Sequence, residues 1–172
     1  TSFILLLVCF SLVAVFSYAY RPITYEFNVG PVDGSVKQVE NFQNIIDTLR
    51  VAKKRDTVKL YINSPGGYVL YTIPLLNAIE TTEAYTVSIN TGFAMSAAGL
   101  IALTTKEFKA QRASSFLFHR AYYRDPLNGR KILAEESEPS YYLVQYFISK
   151  YVFPYLTLEE IAEYNYGEDG TL

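Results

Sequence analysis

Ser96 stands within Gly92-Phe93-Ala94-Met95-Ser96-Ala97-Ala98-Gly99, where a serine enclosed by small residues has little to do as packing. Just after a strand-like run, it suits an exposed nucleophile at a strand-to-helix turn. A serine hydroxyl is a weak nucleophile near neutral pH until a base takes its proton. The chain has 1 histidine, His119, directly behind the apolar run Phe116-Leu117-Phe118. An imidazole of unperturbed pKa about 6.5 fits that task; the plainer reading is a half-buried histidine at a strand end. Glu168 and Asp169 follow near the end of the chain, and either carboxylate could fix a histidine tautomer and stabilise its charged form. Their plainer reading is an acidic pair on a frayed terminus. A further ingredient stands earlier, in the stretch Val58 to Gly67, which reads Val-Lys-Leu-Tyr-Ile-Asn-Ser-Pro-Gly-Gly. This is a buried strand that stops at a tight turn, and Gly66 and Gly67 let main-chain N–H groups approach a ligand with no side chain in the way. The pair is either an anion or oxyanion cradle or a turn and nothing more.

Those residues must be positioned by the elements around them. Ile23 to Val29 reads as a strand, broken by Gly30-Pro31-Val32-Asp33-Gly34. Val36, Val39, Phe42, Ile45, Ile46 and Leu49 then recur at helical spacing behind Ser35 as N-cap. The strand from Val58 completes a crossover unit, and repetition of that unit predicts an α/β domain with a mostly parallel sheet. The next helix is expected over Val69 to Ile79 with Leu75, Leu76 and Ile79 inward, and Pro74 predicts a kink or a late start. Thr86 to Thr91 is the third strand, a small-residue helix runs from Ser96 through Leu103, and Phe116 to Phe118 is a strand that delivers His119. Ala94, Ala97, Ala98 and Gly99 read best as close helix-to-sheet packing. Functional groups gather at strand ends in such sheets, so Gly66, Gly67, Ser96 and His119 are expected to converge. From Tyr123 to Ser140 the chain is a polar surface excursion, and Tyr141 to Phe153 is a helix whose aromatics suit the core or a subunit interface better than ligand stacking. Thr157-Leu158-Glu159-Glu160 is a capping box that opens a last helix to about Tyr166.

With 172 residues the chain is long enough for one domain and a sizeable core. A net charge of −2 supplies no electrostatic reason to expect nucleic acid, and Lys53, Lys54 and Arg55 read as a helix-end or solvated cluster. The single cysteine, Cys9, excludes an intrachain disulfide and a multi-cysteine metal site and leaves the redox compartment undecided. Phe3 to Tyr20 carries no charged residue. Its length approaches the roughly 20 apolar residues that span a bilayer. Three readings stand: a membrane anchor, a cleaved signal with Ser17-Tyr18-Ala19 as its cleavage site, or a buried core segment. Residues 1–20 are therefore set apart as an anchor or signal from a domain over residues 21–172, and the protein is expected to be membrane-associated or exported, with a cytoplasmic location as the alternative.

Three motifs together resemble the ClpP serine peptidases: Ile62-Asn63-Ser64-Pro65-Gly66-Gly67, Gly92-x-Ala94-x-Ser96, and Phe116-Leu117-Phe118-His119. The resemblance runs from about Ile23 to the last residue, with the family's usual C-terminal end expected to be missing. It implies a ClpP/crotonase-like fold of repeated β-α units and a serine endopeptidase acting on polypeptide. By the same resemblance Ser96 would be the nucleophile, His119 the general base, and Asp169, within Asp169-Gly170-Thr171-Leu172, the orienting carboxylate, with Glu168 as the alternative. Gly67 and Ala97 would supply the oxyanion hole, Gly66 and Gly67 would line the substrate, and no metal or organic cofactor is implied. The family also implies self-assembly into a ring and leaves open an ATP-driven unfoldase as partner. Residues 123–140 lack the Gly- and Gln-rich pattern through which the family's rings stack, so a double ring stays open. ClpP peptidases are typically soluble, so the apolar N-terminal segment departs from the family. Related families on this fold use a Ser-Lys dyad or bind acyl-CoA, and the histidine motif and the glycine pair argue against both. The alternative function is a non-catalytic, membrane-tethered scaffold or regulatory subunit.

Overall fold

The computed structural model describes residues 21–133 and 139–166. β1 (Thr24–Val29) leads to α1 (Val36–Val51) and back to β2 (Thr57–Ser64), which pairs with β1 in parallel from Thr24 opposite Thr57 to Val29 opposite Ile62. Ser35 caps α1, its hydroxyl accepting from the Gln38 N–H at 3.3 Å. Phe42, Ile45, Ile46 and Leu49 turn inward, but Val36 and Val39 are exposed. Gln38 is buried instead, and its side-chain oxygen accepts from the Gly34 N–H at 3.1 Å. The start of α1 serves the Gly34 loop, so the buried apolar stripe begins at Phe42, nearly two turns later than the spacing predicts.

α2 (Val69–Thr81) buries Leu75, Leu76 and Ile79. It starts at Val69 and runs through Pro74, so the late start is not found. The carbonyl that Pro74 leaves without its helical donor belongs to Leu70, an exposed residue. β3 (Tyr85–Met95) is longer than the expected strand, and α3 (Ala97–Thr104) is buried along nearly its whole length. β4 (Glu107–Ala110) and β5 (Ser115–Leu117) complete a sheet ordered β1-β2-β3-β4, with β5 also on β3 and every pairing parallel. β4 went unforeseen because its side chains are mostly exposed and two are charged, Glu107 and Lys109, which leaves no apolar alternation to read.

The polar excursion contains an antiparallel hairpin, β6 (Tyr122–Arg124) with β7 (Lys131–Leu133). α4 (Pro139–Tyr151), a 3-10 turn (Phe153–Tyr155) and α5 (Leu158–Tyr166) follow. Phe147 and Ile148 of α4 are buried with Val144, while Leu143 and Tyr146 face outward. The capping box forms as the residues predict: Thr157 N–H donates to Glu160 Oε2 at 2.8 Å, and Glu160 N–H to Thr157 Oγ1 at 3.2 Å. A single apolar cluster joins the sheet to α1, α2 and α3 and extends to Phe147, Ile148 and Tyr164. At its rim, buried Asp56 ties two chain segments, accepting from the Ile23 and Lys53 N–H groups at 2.8 Å each. Among the described residues no helix is long and apolar enough to cross a membrane; the anchor or signal expected over residues 1–20 lies outside them.

Candidate active site

A break in the pairing of β3 builds this region. Along β2 and β3 the register is regular to Ile62 opposite Asn90, and then resumes with Ser64 opposite Ala94. The extra residues on β3 form a bulge that Asn63 and Asn90 hold, Asn63 Oδ1 accepting from the Phe93 N–H at 3.2 Å and Asn90 Oδ1 from the Gly92 N–H at 3.1 Å. A Cβ on Gly92 would stand 2.6 Å from Asn63 Oδ1 and press on the side chain that bonds Phe93. Before the bulge β3 pairs with β4, over Val87 to Asn90; after it, Phe93 to Met95 pair with Ser115 to Leu117 of β5. The switch of partner carries β5 to Ser96, whose N–H donates to the Leu117 carbonyl at 2.6 Å.

Ser96 has φ 53° and ψ −124°, and it is the one non-glycine residue of positive φ among those described. That conformation costs on the order of 1–3 kcal/mol and persists where surrounding contacts impose it. Although Ser96 stands at the N-cap position of α3, its hydroxyl makes no capping bond. The strained turn lifts the hydroxyl off the helix end that a serine would ordinarily satisfy.

The glycine turn packs directly against this elbow. A Cβ on Gly66, whose φ is +83°, would meet the Met95 carbonyl and lie 2.8 Å from Ser96 Cβ and 3.1 Å from the Ala97 nitrogen. On its other side the turn is bridged to Val32, with Val32 N–H donating to the Gly66 carbonyl and Tyr68 N–H to the Val32 carbonyl, both at 2.9 Å. In a parallel bridge of this pattern the residue between those two bonds turns its own N–H away, so the Gly67 N–H faces the opposite edge from Val32. A Cβ on Gly67, at φ +141°, would run into the Val32 backbone.

His119 follows β5 and is half-buried. Its Nδ1 lies 2.8 Å from the Arg120 carbonyl, and its ring is 5.0 Å from that of Tyr122 on β6. Lys131 Nζ stands 4.8 Å and Arg124 Cζ 5.9 Å from the Tyr122 ring centre, so two cations of the same hairpin hold the ring that touches the histidine. Phe118, just before His119, is seated on α3 at Gly99, where a Cβ would stand 2.6 Å from its ring. The His119 carbonyl accepts from the Tyr164 hydroxyl at 3.4 Å, and Arg120 Nη1 donates to the Asn165 carbonyl at 3.3 Å.

The structure thus packs the turn of Gly66 and Gly67 against the elbow of Ser96 and Ala97 and sets His119 two residues beyond the strand bonded to Ser96. Among the described residues Ser96 and His119 are not hydrogen-bonded to each other. Asp169 and Glu168 lie outside the described residues. Tyr122 and Tyr164 were not foreseen, because a tyrosine in a polar excursion or a terminal helix bears no local mark of its neighbour.

The family model described as Clp protease matches residues 31–134, a span that holds the glycine turn, Ser96 and His119. No curated protein matches. Among solved structures, a point mutant of the 1510-N membrane-bound stomatin-specific protease is similar with TM-score 0.57 and 14% identity, over 76% of this chain and 64% of that one. A second mutant of that protease, in complex with a substrate peptide, has TM-score 0.55 and 16% identity over 87% of this chain and 74% of its own. A point mutant of ClpP1 from Listeria monocytogenes has TM-score 0.59 and 16% identity over 87% and 81%. At these identities the likeness speaks for the fold, and the chain spans less than two thirds of the first of these structures.

Proposed function

The chain belongs to the Clp protease family and has its α/β, ClpP/crotonase-like fold, and on that premise we propose that it is a serine endopeptidase working through Ser96, His119 and Asp169. The observation that carries the reading is the strained Ser96 elbow with Gly66 packed against Ser96 and Ala97. His119 takes the Ser96 proton as the hydroxyl attacks the scissile carbonyl, and the acyl-enzyme forms as His119 returns that proton to the leaving amine. Water then repeats the sequence and releases the second product. Asp169, with Glu168 as the alternative, holds the imidazole and stabilises its charged form. The Gly67 and Ala97 N–H groups receive the developing oxyanion, and loss of one such donor raises the barrier by roughly 3–4 kcal/mol. That Ser96 and His119 share no hydrogen bond in the free protein accords with catalytic hydrogen bonds that form or tighten on substrate binding.

Polypeptide is the proposed substrate, in keeping with the family and with the peptide held by the stomatin-specific protease. A homo-oligomeric ring, an ATP-driven unfoldase and a membrane-associated or exported location are part of the same proposal, the last resting on the uncharged run Phe3 to Tyr20. A fluorophosphonate probe tests the centre of it. Wild type is expected to be labelled at Ser96 and Ser96→Ala to be neither labelled nor active. Assembled wild type that takes no probe, or a Ser96→Ala protein with full activity, would hand the chain to the scaffold reading.

A further inference from the structure

We infer that Tyr164 is a positioning residue for the His119 imidazole, acting through the peptide that joins His119 to Arg120; the inference rests on the reading of His119 as the base. The argument begins at the ring. The Arg120 carbonyl can only accept, so at 2.8 Å it requires the proton of the neutral ring to sit on Nδ1. Nε2 is then left with its lone pair, and only a bare ring nitrogen can take a proton from Ser96. In the free protein a main-chain oxygen already holds the tautomer that the reaction needs, and a carboxylate that takes over the Nδ1–H during the reaction keeps the same one.

That main-chain oxygen is carried by Arg120, and it holds the ring only as firmly as Arg120 is itself held. Two bonds from the end of α5 hold that residue, the Tyr164 hydroxyl on the His119 carbonyl, in the peptide just before Arg120, at 3.4 Å and the Asn165 carbonyl under Arg120 Nη1 at 3.3 Å. Tyr164 is 0% exposed and packs edge-on against Phe153, with ring centres 5.8 Å apart. A phenylalanine would fill that site without burying a hydroxyl, and the hydroxyl has its partner in the His119 carbonyl. Burial also pushes the Tyr164 phenol well above its ordinary value, so the hydroxyl keeps its proton and stays a donor. On the ring's other flank Tyr122 limits rotation. Tyr164 therefore fixes the 119–120 peptide, that peptide and the Asn165 bond fix Arg120 from both sides, the Arg120 carbonyl holds the Nδ1 proton, and the Nδ1 proton frees Nε2.

The chain has 1 histidine, so a long-range proton–nitrogen spectrum of the 15N-labelled full chain reports both ring nitrogens without ambiguity. In wild type, at a pH where the ring is neutral, Nδ1 is expected to carry the proton. In Tyr164→Phe the Nε2–H form should appear, and fluorophosphonate labelling of Ser96 should slow by at least about 10-fold, with kcat falling and KM little changed. An Nε2–H ring in wild type, or a Tyr164→Phe protein with unchanged tautomer and labelling rate, overturns the inference. Should Tyr164→Phe not fold, Arg120→Gln removes the second tie and is read in the same way. A tautomer that shifts in Tyr164→Phe while wild type takes no probe leaves the positioning standing and sinks the peptidase reading. Labelled wild type with an unmoved tautomer does the reverse.

Discussion

Ser96 holds its positive φ because the N–H bond to Leu117 and the Gly66 contact leave the turn no other course. Strain of this kind is measurable apart from catalysis, since glycine accepts that backbone and alanine does not. Both Ser96→Gly and Ser96→Ala abolish labelling, but the glycine variant is expected to be the more stable of the two by about 1 kcal/mol in urea unfolding. An alanine variant of equal or greater stability would mean that the elbow stores no strain. The adjoining glycine is held to a stricter condition. Gly66→Ala forces a methyl group onto the Met95 carbonyl and Ser96 Cβ, and labelling at Ser96 should fall by more than about 100-fold. Gly129, at φ +71° with nothing within 4 Å of an added Cβ, is the control. Its alanine variant should lose about 1 kcal/mol of stability and keep its labelling rate. Equal labelling losses in the two variants would trace the effect to general destabilisation.

Among the elements, the short ones decide the site. β3 must leave β4 and take up β5, and the Asn63 and Asn90 side chains bond the bulge at which it does so. α3 then seats Phe118 at Gly99, which holds the end of β5 and the histidine after it. Gly99→Ala places a methyl group 2.6 Å from the Phe118 ring and should cost about 1–3 kcal/mol. Because the displaced ring precedes His119, kcat should fall more than KM rises. Phe118→Leu added to Gly99→Ala should recover part of both losses, since the smaller side chain makes room. A double variant no better than the sum of the two singles would show that the two residues do not share this contact.

At the scale of the whole molecule, α4 is tied to α2 by a small polar cluster. Lys150 Nζ meets Glu80 Oε1 at 2.7 Å and donates to the Tyr146 hydroxyl at 2.9 Å, while the Tyr151 hydroxyl also donates to Glu80. Burial disfavours the Glu80 carboxylate, but the bonds from Lys150 and Tyr151 outweigh it and hold its carboxyl below the ordinary value. A depressed carboxyl stabilises the fold above its unfolded pKa of about 4.5 and loses that contribution as pH falls through the lower folded value. Wild type should therefore exceed Glu80→Gln in urea midpoint near about pH 6, and the difference should close by about pH 3. A gap that persists in acid would assign the effect to packing. On its outer side α4 exposes Tyr142, Leu143 and Tyr146, apolar surface suited to a second copy of the chain. Light scattering of a version beginning at Arg21 is expected to find an oligomer, and Leu143→Glu with Tyr142→Glu to shift it toward smaller species. A strict monomer that cleaves peptides would refute self-association through this helix.

The crossover elements, the Ser35 cap, the Thr157–Glu160 box and the glycine and serine motifs were legible in the residues. Apolar period, turn chemistry and capping are local properties, and each is written within a few positions of the element it specifies. The exposure of Val36 and Val39, the presence of β4, the change of partner along β3 and the seating of Phe118 on Gly99 were not. Nor was the hold of Tyr164 on the His119 peptide, although both residues are plain in the chain. Each of these depends on which atoms of distant segments come within 3 to 4 Å of one another, a consequence of sheet register and helix docking. The chain by itself determined which residues could do the chemistry and in what order of elements they occur. Only tertiary packing decided that Ser96 is bent into a strained turn and that a main-chain carbonyl holds its histidine, because strain and tautomer are imposed by neighbours that local sequence does not name.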